Sequence, residues 1–265
     1  MPGLLTGGRA RPCDGAAATT APGWMPILTY HSIAETEVAG DPWRGGARSR
    51  LVRHLDWLQR HAYTAVPLDL ALRPSSSEER RNVAITFDDG YRDMLDTALP
   101  ELESRAFPAS VFVITGRIGG MSDSAGDPRP LLSRSQILEL HARGILVGSH
   151  SRTHRRLSTL PDGEIRDEVA GSRADLEDLL QAPVDFFCYP HHDHDARVVA
   201  EVARAGYRGA LGGRDAAHAP LHLQRIDAAS LTERQLWLHL TGAHRWARRQ
   251  PLPRPLRGLA RRLAG

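Results

Sequence analysis

Large apolar residues recur at every second position along residues 83–87, as Val83, Ile85 and Phe87, and this run ends in two adjacent carboxylates. A period of two residues is typical of a buried strand. Asp88, Asp89 and Gly90 follow it directly. Neighbouring carboxylates repel each other, and burial disfavours the ionised form of each. A bound cation or proton would relieve both effects, so we interpret Asp88 and Asp89 as part of a functional site.

Strands and helices alternate along the rest of the chain. Apolar runs predict strands over residues 25–31, 65–68, 83–87, 109–114, 145–149, 184–188, 207–211 and 221–227. Helical spacing predicts helices over residues 51–60, 92–105, 133–144, 161–180, 196–205 and 233–240. Such alternation predicts an α/β fold with a parallel sheet and right-handed crossovers. His31, Asp88 and His150 then lie at strand carboxyl ends, which meet on one face of a closed barrel.

The length and composition predict one domain with two flanking segments. A chain of 265 residues suits a single α/β barrel, which we place at residues 25–243. Residues 1–24 are predicted to be a disordered leader, because they hold no continuous apolar stretch typical of a signal peptide. The two cysteines, Cys13 and Cys188, are too few for a disulfide framework. We therefore expect a cytoplasmic location.

The positive charge is concentrated in a predicted basic tail, residues 244–265. Seven of the 34 basic residues lie in this tail without an acidic residue, so the remaining chain holds 27 basic and 31 acidic residues. Nucleic-acid binding by the folded domain is therefore not indicated. Leu256, Leu259 and Leu263 follow helical spacing among the arginines, which leaves weak peripheral membrane contact open as one interpretation. A solvated tail is the alternative, because prolines interrupt the segment.

A pair of histidines follows the strand predicted at residues 145–149. His150 and His154 are four residues apart, so one helical turn would place both imidazoles on the same side. Two histidines and a carboxylate from another strand end make a three-ligand metal site that leaves positions open for water. A lone pair with this spacing is a weak signal. Its combination with Asp88 and Asp89 indicates a hydrolytic metal centre.

These stretches carry a resemblance to a known family. The segments Thr86-Phe-Asp-Asp-Gly90 and His150-Ser-Arg-Thr-His154 resemble the first two motifs of the polysaccharide deacetylase family, which is the NodB-homology domain of carbohydrate esterase family 4. The resemblance covers roughly residues 26–227. It implies a distorted, TIM-barrel-like (β/α)7 barrel. It also implies a divalent metal and the removal of acetyl groups, most often from N-acetylhexosamines.

The resemblance also implies roles for individual residues. Asp89, His150 and His154 would be the metal ligands, and Asp88 would be the base that takes a proton from the attacking water. The chemistry agrees, because a cation keeps one carboxylate ionised while its neighbour stays available for proton transfer. Zinc suits two histidines and one carboxylate, and Co²⁺, Ni²⁺ or Fe²⁺ fit the same ligands.

The third family motif departs from its usual form. Relatives usually have an arginine that orients the base, but here the segment reads Cys188-Tyr189-Pro190-His191-His192. The N–H of His191 still suits an oxyanion donor, because that role needs no side chain. We therefore predict that Tyr189, Pro190 and His191 form the oxyanion and substrate-binding segment. A second zinc site at residues 191–194 is an alternative to a solvated histidine-rich loop.

The acid that protonates the leaving group is left open between two histidines. The family's late Leu-x-His motif is not clearly present, although His222 lies near its expected place. His31 follows a strand and would approach the metal from the opposite wall. We favour His31 as an active-site residue, and a structural role is the alternative for either histidine.

Together these observations predict a metal-dependent carbohydrate deacetylase that hydrolyses an acetamide on an amino sugar or glycan. One alternative is a related amidohydrolase that acts on a non-sugar amide or cyclic imide. Another is a catalytically silent glycan-binding barrel.

Overall fold

A computed structural model describes residues 25–35, 46–73, 81–122, 128–213 and 219–241 of the chain. The predicted leader with Cys13 and the predicted basic tail lie outside these residues, so the predictions for both stay predictions. Within the described part of the chain, no helix has the length and apolar character needed to cross a membrane.

The ten described strands all pair in parallel. They are β1 Ile27–Tyr30, β2 Ile33–Ala34, β3 Gly46–Ala47, β4 Thr64–Ala65, β5 Asn82–Phe87, β6 Ser110–Val113, β7 Leu146–Ser149, β8 Phe186–Cys188, β9 Gly209–Leu211 and β10 Ile226–Asp227. Strands β2 and β3 pair with each other as a small separate sheet, and the other eight form one curved sheet. The main sheet has the order β10-β1-β5-β6-β7-β8-β9, with β4 beside β5. An isolated parallel bridge between Leu211 and Leu223 links the two ends of this order. The predicted α/β fold with a parallel sheet is confirmed.

Helices connect the strands and cover the outer face of the sheet. They are α1 Arg48–Arg60, α2 Leu99–Glu103, α3 Arg134–Ala142, α4 Asp162–Arg166, α5 Ser172–Leu180, α6 Ala196–Arg204 and α7 Glu233–Leu240. A π-helical turn at Met94–Ala98 leads into α2, and another at Asp167–Gly171 joins α4 to α5. The helix predicted over residues 161–180 is therefore continuous but carries an irregular turn at its middle.

Two strands depart most from their predicted extent. The strand predicted over residues 65–68 ends at Ala65 and gives way to a 3-10 turn at Leu68–Leu72. Pro67 explains this, because proline has no N–H to donate to a strand ladder. Only the end of the strand predicted over residues 221–227 is regular, as β10, and the residues before it make isolated bridges.

The period-2 pattern of the strands separates two cores. Val83, Ile85 and Phe87 of β5 point outward into the larger core beneath the helices. Ala84 belongs to the smaller core inside the curved sheet, with Phe112, Phe186 and Leu223. Residues that continue this inner alternation past the strand ends therefore project over the inner core.

Candidate active site

The inner alternation brings polar side chains from five strand ends together. Asp88 follows Ala84 and Thr86 of β5, and the N–H of Asp88 donates to the Tyr30 carbonyl at 2.9 Å. The remaining members extend the same inward-facing series of their own strands: His31 after β1, His150 after β7, Cys188 in β8 and Arg225 before β10. Asp88, His150, Cys188 and Arg225 are all buried. Parallel strands place their functional groups at one rim in this way.

The Asp-Asp-Gly turn directs its two carboxylates differently. Asp88 continues the extended strand, but Asp89 and Gly90 have φ values of 66° and 72°. A left-handed backbone conformation is uncommon for residues other than glycine, although aspartate adopts it more readily than most. Ser151, His154, His191 and His192 also have positive φ. Such conformations are often concentrated at functional sites.

The hydrogen bond of His150 fixes its tautomer. Its Nδ1 lies 2.8 Å from the carbonyl oxygen of Cys188, and a carbonyl can only accept, so Nδ1 carries the proton. In the neutral ring the Nε2 lone pair then faces Asp89, 3.4 Å from Oδ1. A backbone carbonyl behind an imidazole is the usual support for a metal-ligating histidine.

Three donor atoms converge at this point. His154 Nε2 is also 3.4 Å from Asp89 Oδ1, and the potential ligand atoms of Asp89, His150 and His154 all lie within 4.8 Å of one another. Asp89 Oδ1 is buried and has no hydrogen-bond partner among the described residues. A buried carboxylate oxygen that faces two imidazole nitrogens is suited to a cation, and two histidines with one aspartate suit Zn²⁺. The residues present therefore fit the metal that the sequence predicts.

The neighbouring carboxylate, Asp88, has an arginine as its partner. Arg225 Nη1 donates to Asp88 Oδ1 at 2.7 Å, and both side chains are about 2% exposed. Burial would raise the pKa of Asp88, but the charge and the hydrogen bond of Arg225 hold that pKa well below its ordinary range. Asp88 is therefore ionised at neutral pH, as a general base must be.

Arg225 was not among the residues predicted to form the site. The Cys188 substitution had left no arginine to orient the base, and the structure places one there from the strand segment on the other side of Asp88. The signal in the sequence was the spacing of Arg225 from Leu221 and Leu223. This spacing of two residues places a charged residue on the same face of the predicted strand as two apolar ones. An arginine at such a position is buried only if it has a partner.

Cys188 also contacts Asp88. Its Sγ lies 3.6 Å from Asp88 Oδ2, and burial raises the pKa of the thiol. The neutral thiol is therefore a weak donor to the carboxylate oxygen that Arg225 does not contact.

The two histidines considered for the acid role lie in different surroundings. His31 Nε2 is 3.9 Å from Asp88 Oδ2, and its side chain is 16% exposed. His222 Nδ1 instead lies 3.2 Å from His194 Nε2, and its ring is 6.4 Å from that of Tyr189. Both acid assignments stay predictions, and of the two histidines it is His31 that lies close to Asp88.

The segment predicted to bind substrate forms one wall beside the histidine pair. Tyr189 is buried, its ring stacks on His194 at 4.3 Å, and its hydroxyl donates to the Leu221 carbonyl at 3.1 Å. Pro190 is buried and begins a short 3-10 turn. His191 is exposed, and its Nε2 donates to the His154 carbonyl at 3.0 Å. The oxyanion and substrate roles of these three residues stay predictions.

The alternative of a second zinc site at residues 191–194 has no matching cluster among the described residues. The groups with metal-binding spacing are Asp89, His150 and His154, and Asp88, His150 and Cys188. Asp193 instead accepts two hydrogen bonds from Ser158, each at 2.9 Å. This geometry agrees with the interpretation of a histidine-rich loop.

Comparison with known proteins gives a family and a fold. The family model described as polysaccharide deacetylase matches residues 75–210, which is just over half of the chain. A Bacillus subtilis (strain 168) protein named "Putative polysaccharide deacetylase YxkH" is 27% identical over 193 residues, which are 72% of this chain and 64% of that protein. The chain thus spans slightly less than two thirds of the length of this curated relative.

Two solved structures share the fold. The Streptococcus pyogenes deacetylase PplD, in complex with acetate, has a TM-score of 0.65 at 22% identity over 78% of this chain and 92% of that one. BC0361, a polysaccharide deacetylase from Bacillus cereus, has a TM-score of 0.67 at 22% identity over 82% of this chain and 68% of that one. The curved sheet therefore matches the (β/α)7 barrel predicted from the two motifs. With residues 75–210 matched by the family model, this chain belongs to the polysaccharide deacetylase family.

Proposed function

We propose that the chain is a metal-dependent hydrolase that removes an N-acetyl group from an amino sugar or glycan. The observation that carries the proposal is the pairing of two adjacent carboxylates with different partners. Asp89 faces the nitrogens of His150 and His154 at 3.4 Å, whereas Asp88 is bound by Arg225 at 2.7 Å. One carboxylate is thus suited to a cation, and the other is an ionised base beside it.

Asp89, His150 and His154 would hold the metal, for which we propose zinc. When bound, such an ion polarises a carbonyl and lowers the pKa of a coordinated water. The Asp89 and His154 side chains are 14% and 12% exposed, compared with 3% for His150. The open side of the donor set is therefore the side of Asp89 and His154, where we place the acetyl group of the substrate.

Asp88 would accept a proton from the attacking water. Its carboxylate is held between Arg225 on Oδ1 and Cys188 on Oδ2, so its orientation does not depend on an arginine in the third motif. His31 would give a proton to the leaving nitrogen, because it is the histidine of the two that lies against the base. The N–H of His191 would bind the developing oxyanion.

The experiment measures metal content and acetate release for purified wild-type protein beside Asp88→Asn, Asp89→Asn and His150→Ala. Oligomers of N-acetylglucosamine are the probe substrates, and a cyclic imide and an aryl acetate serve as comparisons. We expect about one zinc per chain in the wild type and in Asp88→Asn, and its loss in the other two variants. Asp88→Asn should retain the metal but lose about 10²-fold or more in kcat.

Three outcomes would redirect the proposal. Absence of metal after reconstitution with divalent ions would remove the metal centre. Turnover of the imide without acetate release from the sugar would favour the non-sugar amidohydrolase. Glycan binding that is equal in wild type and Asp88→Asn, without turnover of any probe, would favour the silent binding protein.

A further inference from the structure

The loop that carries both imidazoles has an unusual backbone. Residues 150–154 connect β7 to the following turn, and Ser151 and His154 have φ values of 63° and 64°. Two left-handed residues within four positions are costly without glycine, so neighbouring groups must hold this conformation. The Ser151 hydroxyl supplies one such contact, because it accepts the N–H of His154 at 3.0 Å.

The middle of the loop is bound by one buried carboxylate, Glu168. Its Oε2 accepts the N–H groups of Arg152 and Thr153 at 2.9 and 2.8 Å. Its Oε1 accepts the Thr153 hydroxyl and lies 3.3 Å from Arg155 Nη2. Two successive backbone N–H groups that point at one oxygen form an anion-binding concavity, and here a side chain of the same protein occupies it.

The opposite edge of the loop is bound by backbone. The Ser151 and Arg152 carbonyls accept the N–H groups of Thr115 and Gly116 at 3.1 and 2.9 Å. A side chain at residue 116 would lie 2.6 Å from the Arg152 carbonyl oxygen, so the close approach there requires glycine. The loop is therefore held between the 3-10 turn Thr115–Arg117 that follows β6 on one side and Glu168 on the other.

Glu168 reaches the loop from the π-helical turn at Asp167–Gly171. A π turn inserts an extra residue into a helix and changes the direction of the side chains around it. The same turn provides Asp167 and leads to Asp175 in α5, which bind the Arg152 guanidinium at 2.5 and 2.8 Å. The helix thus binds both the backbone and a side chain of the loop.

Glu168 is 1% exposed and is ionised. Burial would raise its pKa, but hydrogen bonds from Thr153, Ser151 and Arg155 lower that pKa below its usual range. A buried ionised carboxylate is tolerated only when it is bonded on several sides. These bonds come from the loop between the two histidines and from Arg155 directly after it, and none of them contacts Asp88 or Asp89 in the described residues.

We propose that Glu168 is a positioning residue that holds the His150–His154 loop in its metal-binding conformation. The proposal rests on the proposed function insofar as it concerns a metal, and on hydrogen-bond geometry insofar as it concerns the loop. Without Glu168, two adjacent N–H groups lose their acceptor, and the left-handed residues on either side lose their support. The distance between the two imidazoles then varies, which weakens a site that needs both.

The test compares Glu168→Ala and Glu168→Gln with a matched control, Glu201→Gln. Glu201 of α6 is 5% exposed and pairs with Arg166 of α4 and Arg204 of α6. Its replacement therefore removes a buried carboxylate away from the loop. Zinc affinity is measured by competition with a chromogenic chelator, and thermal unfolding is measured for the metal-free proteins. We expect Glu168→Ala to lower zinc affinity about 10–100-fold, Glu168→Gln to lower it less, and Glu201→Gln to leave it unchanged.

Hydrogen exchange of the metal-free proteins provides the second measurement. The amides of Arg152 and Thr153 should exchange faster in Glu168→Ala than in wild type, while the protection of β7 stays the same. If wild-type protein binds no metal, the proposed function fails, and the exchange result still decides the role of Glu168. Zinc affinity and loop protection that are both unchanged in a folded Glu168 variant would overturn the inference.

Discussion

The guanidinium of Arg225 lies 2.7 Å from the carboxylate of Asp88, and both groups are buried at the inner rim of the sheet. The two residues are 137 positions apart in the chain. They reach each other because a single strand, β1, lies between β5 and β10 in the sheet. Cys188, at the position where relatives have their base-orienting arginine, contacts the other oxygen of the same carboxylate. The charge that the third motif lacks is therefore supplied from a different strand.

Replacing Arg225 is expected to reduce catalysis more than metal binding. Arg225→Met leaves Asp88 buried without its partner, so its pKa rises and its orientation is lost. We expect kcat to fall by about 10²-fold, while zinc content stays at the wild-type level. Steady-state kinetics and elemental analysis measure these two quantities.

Arg208→Met is a control for this variant, because Arg208 pairs with Asp185 at 2.8 Å on the surface. A second variant tests whether the position of the charge matters. Cys188→Arg combined with Arg225→Leu returns an arginine to the third motif and should recover part of the lost kcat. Full activity of Arg225→Met alone would show that the ion pair does not orient the base.

His31 and His222 can be separated by the leaving group of the substrate. A general acid is needed to expel an amine, whereas the phenolate of an aryl acetate leaves without a proton. We expect His31→Gln to reduce kcat about 10²-fold on the acetamide and only a few-fold on the aryl acetate. His222→Gln should change both rates by less than about threefold, since in this structure it pairs with His194 at 3.2 Å.

The ratio of the two rates is the quantity to compare. Equal losses on both substrates for His31→Gln would mean that it positions Asp88 without donating a proton. A selective loss for His222→Gln would transfer the acid role to that residue.

Gly148 is expected to be intolerant of any side chain. A Cβ at this position in β7 would lie 2.4 Å from the Phe112 ring in the inner core, and overpacking of this kind costs about 1–3 kcal/mol. Gly148→Ala should therefore lower the free energy of unfolding by that amount in urea titrations. Adding Phe112→Leu should recover part of the lost free energy of unfolding.

Gly163→Ala is a matched control, because nothing lies within 4 Å of a Cβ there. An equal effect at both glycines would mean that the inner packing is not responsible.

The sequence was sufficient for those parts of the site that depend on local pattern. The pattern at residues 83–87 predicted β5 and its terminal carboxylates. The four-residue spacing predicted that the imidazoles of His150 and His154 lie on one side, and both do face Asp89. The helical turn expected to place them there was wrong, because residues 150–154 form an irregular loop with positive φ at Ser151 and His154. The partner of Asp88 could not be predicted in this way, because the register between β1 and β10 has no local signature. Glu168 was equally hidden, since a buried glutamate in a helix is indistinguishable in sequence from an exposed one until the π turn is known.

We predict that the protein loses stability at acid pH through His54, which lies outside the candidate active site. Its Nε2 donates to the Leu231 carbonyl at 3.0 Å, so Nδ1 is the acceptor for the Tyr30 hydroxyl, also at 3.0 Å. The bond from Tyr30 requires the neutral ring, because a protonated Nδ1 cannot accept a hydrogen bond. Burial lowers the pKa of His54 to about 4, with Glu233 opposing this shift and Arg50 and Arg53 adding to it.

The direction of the effect follows from proton linkage. The unfolded chain binds a proton at His54 near pH 6.5, whereas the folded chain does so only near pH 4. The contribution of the neutral His54 ring to the free energy of unfolding is therefore complete above the pKa of the unfolded chain and is lost as the pH falls from about 6.5 towards 4.

Between pH 7.5 and pH 5.0, wild-type protein should lose about 2 kcal/mol more of its free energy of unfolding than His54→Gln does. Urea titrations at the two pH values measure this difference, with His141→Gln at an exposed position as the control. An equal pH dependence of wild type and His54→Gln would show that the ring is already protonated in the folded protein or accessible to solvent.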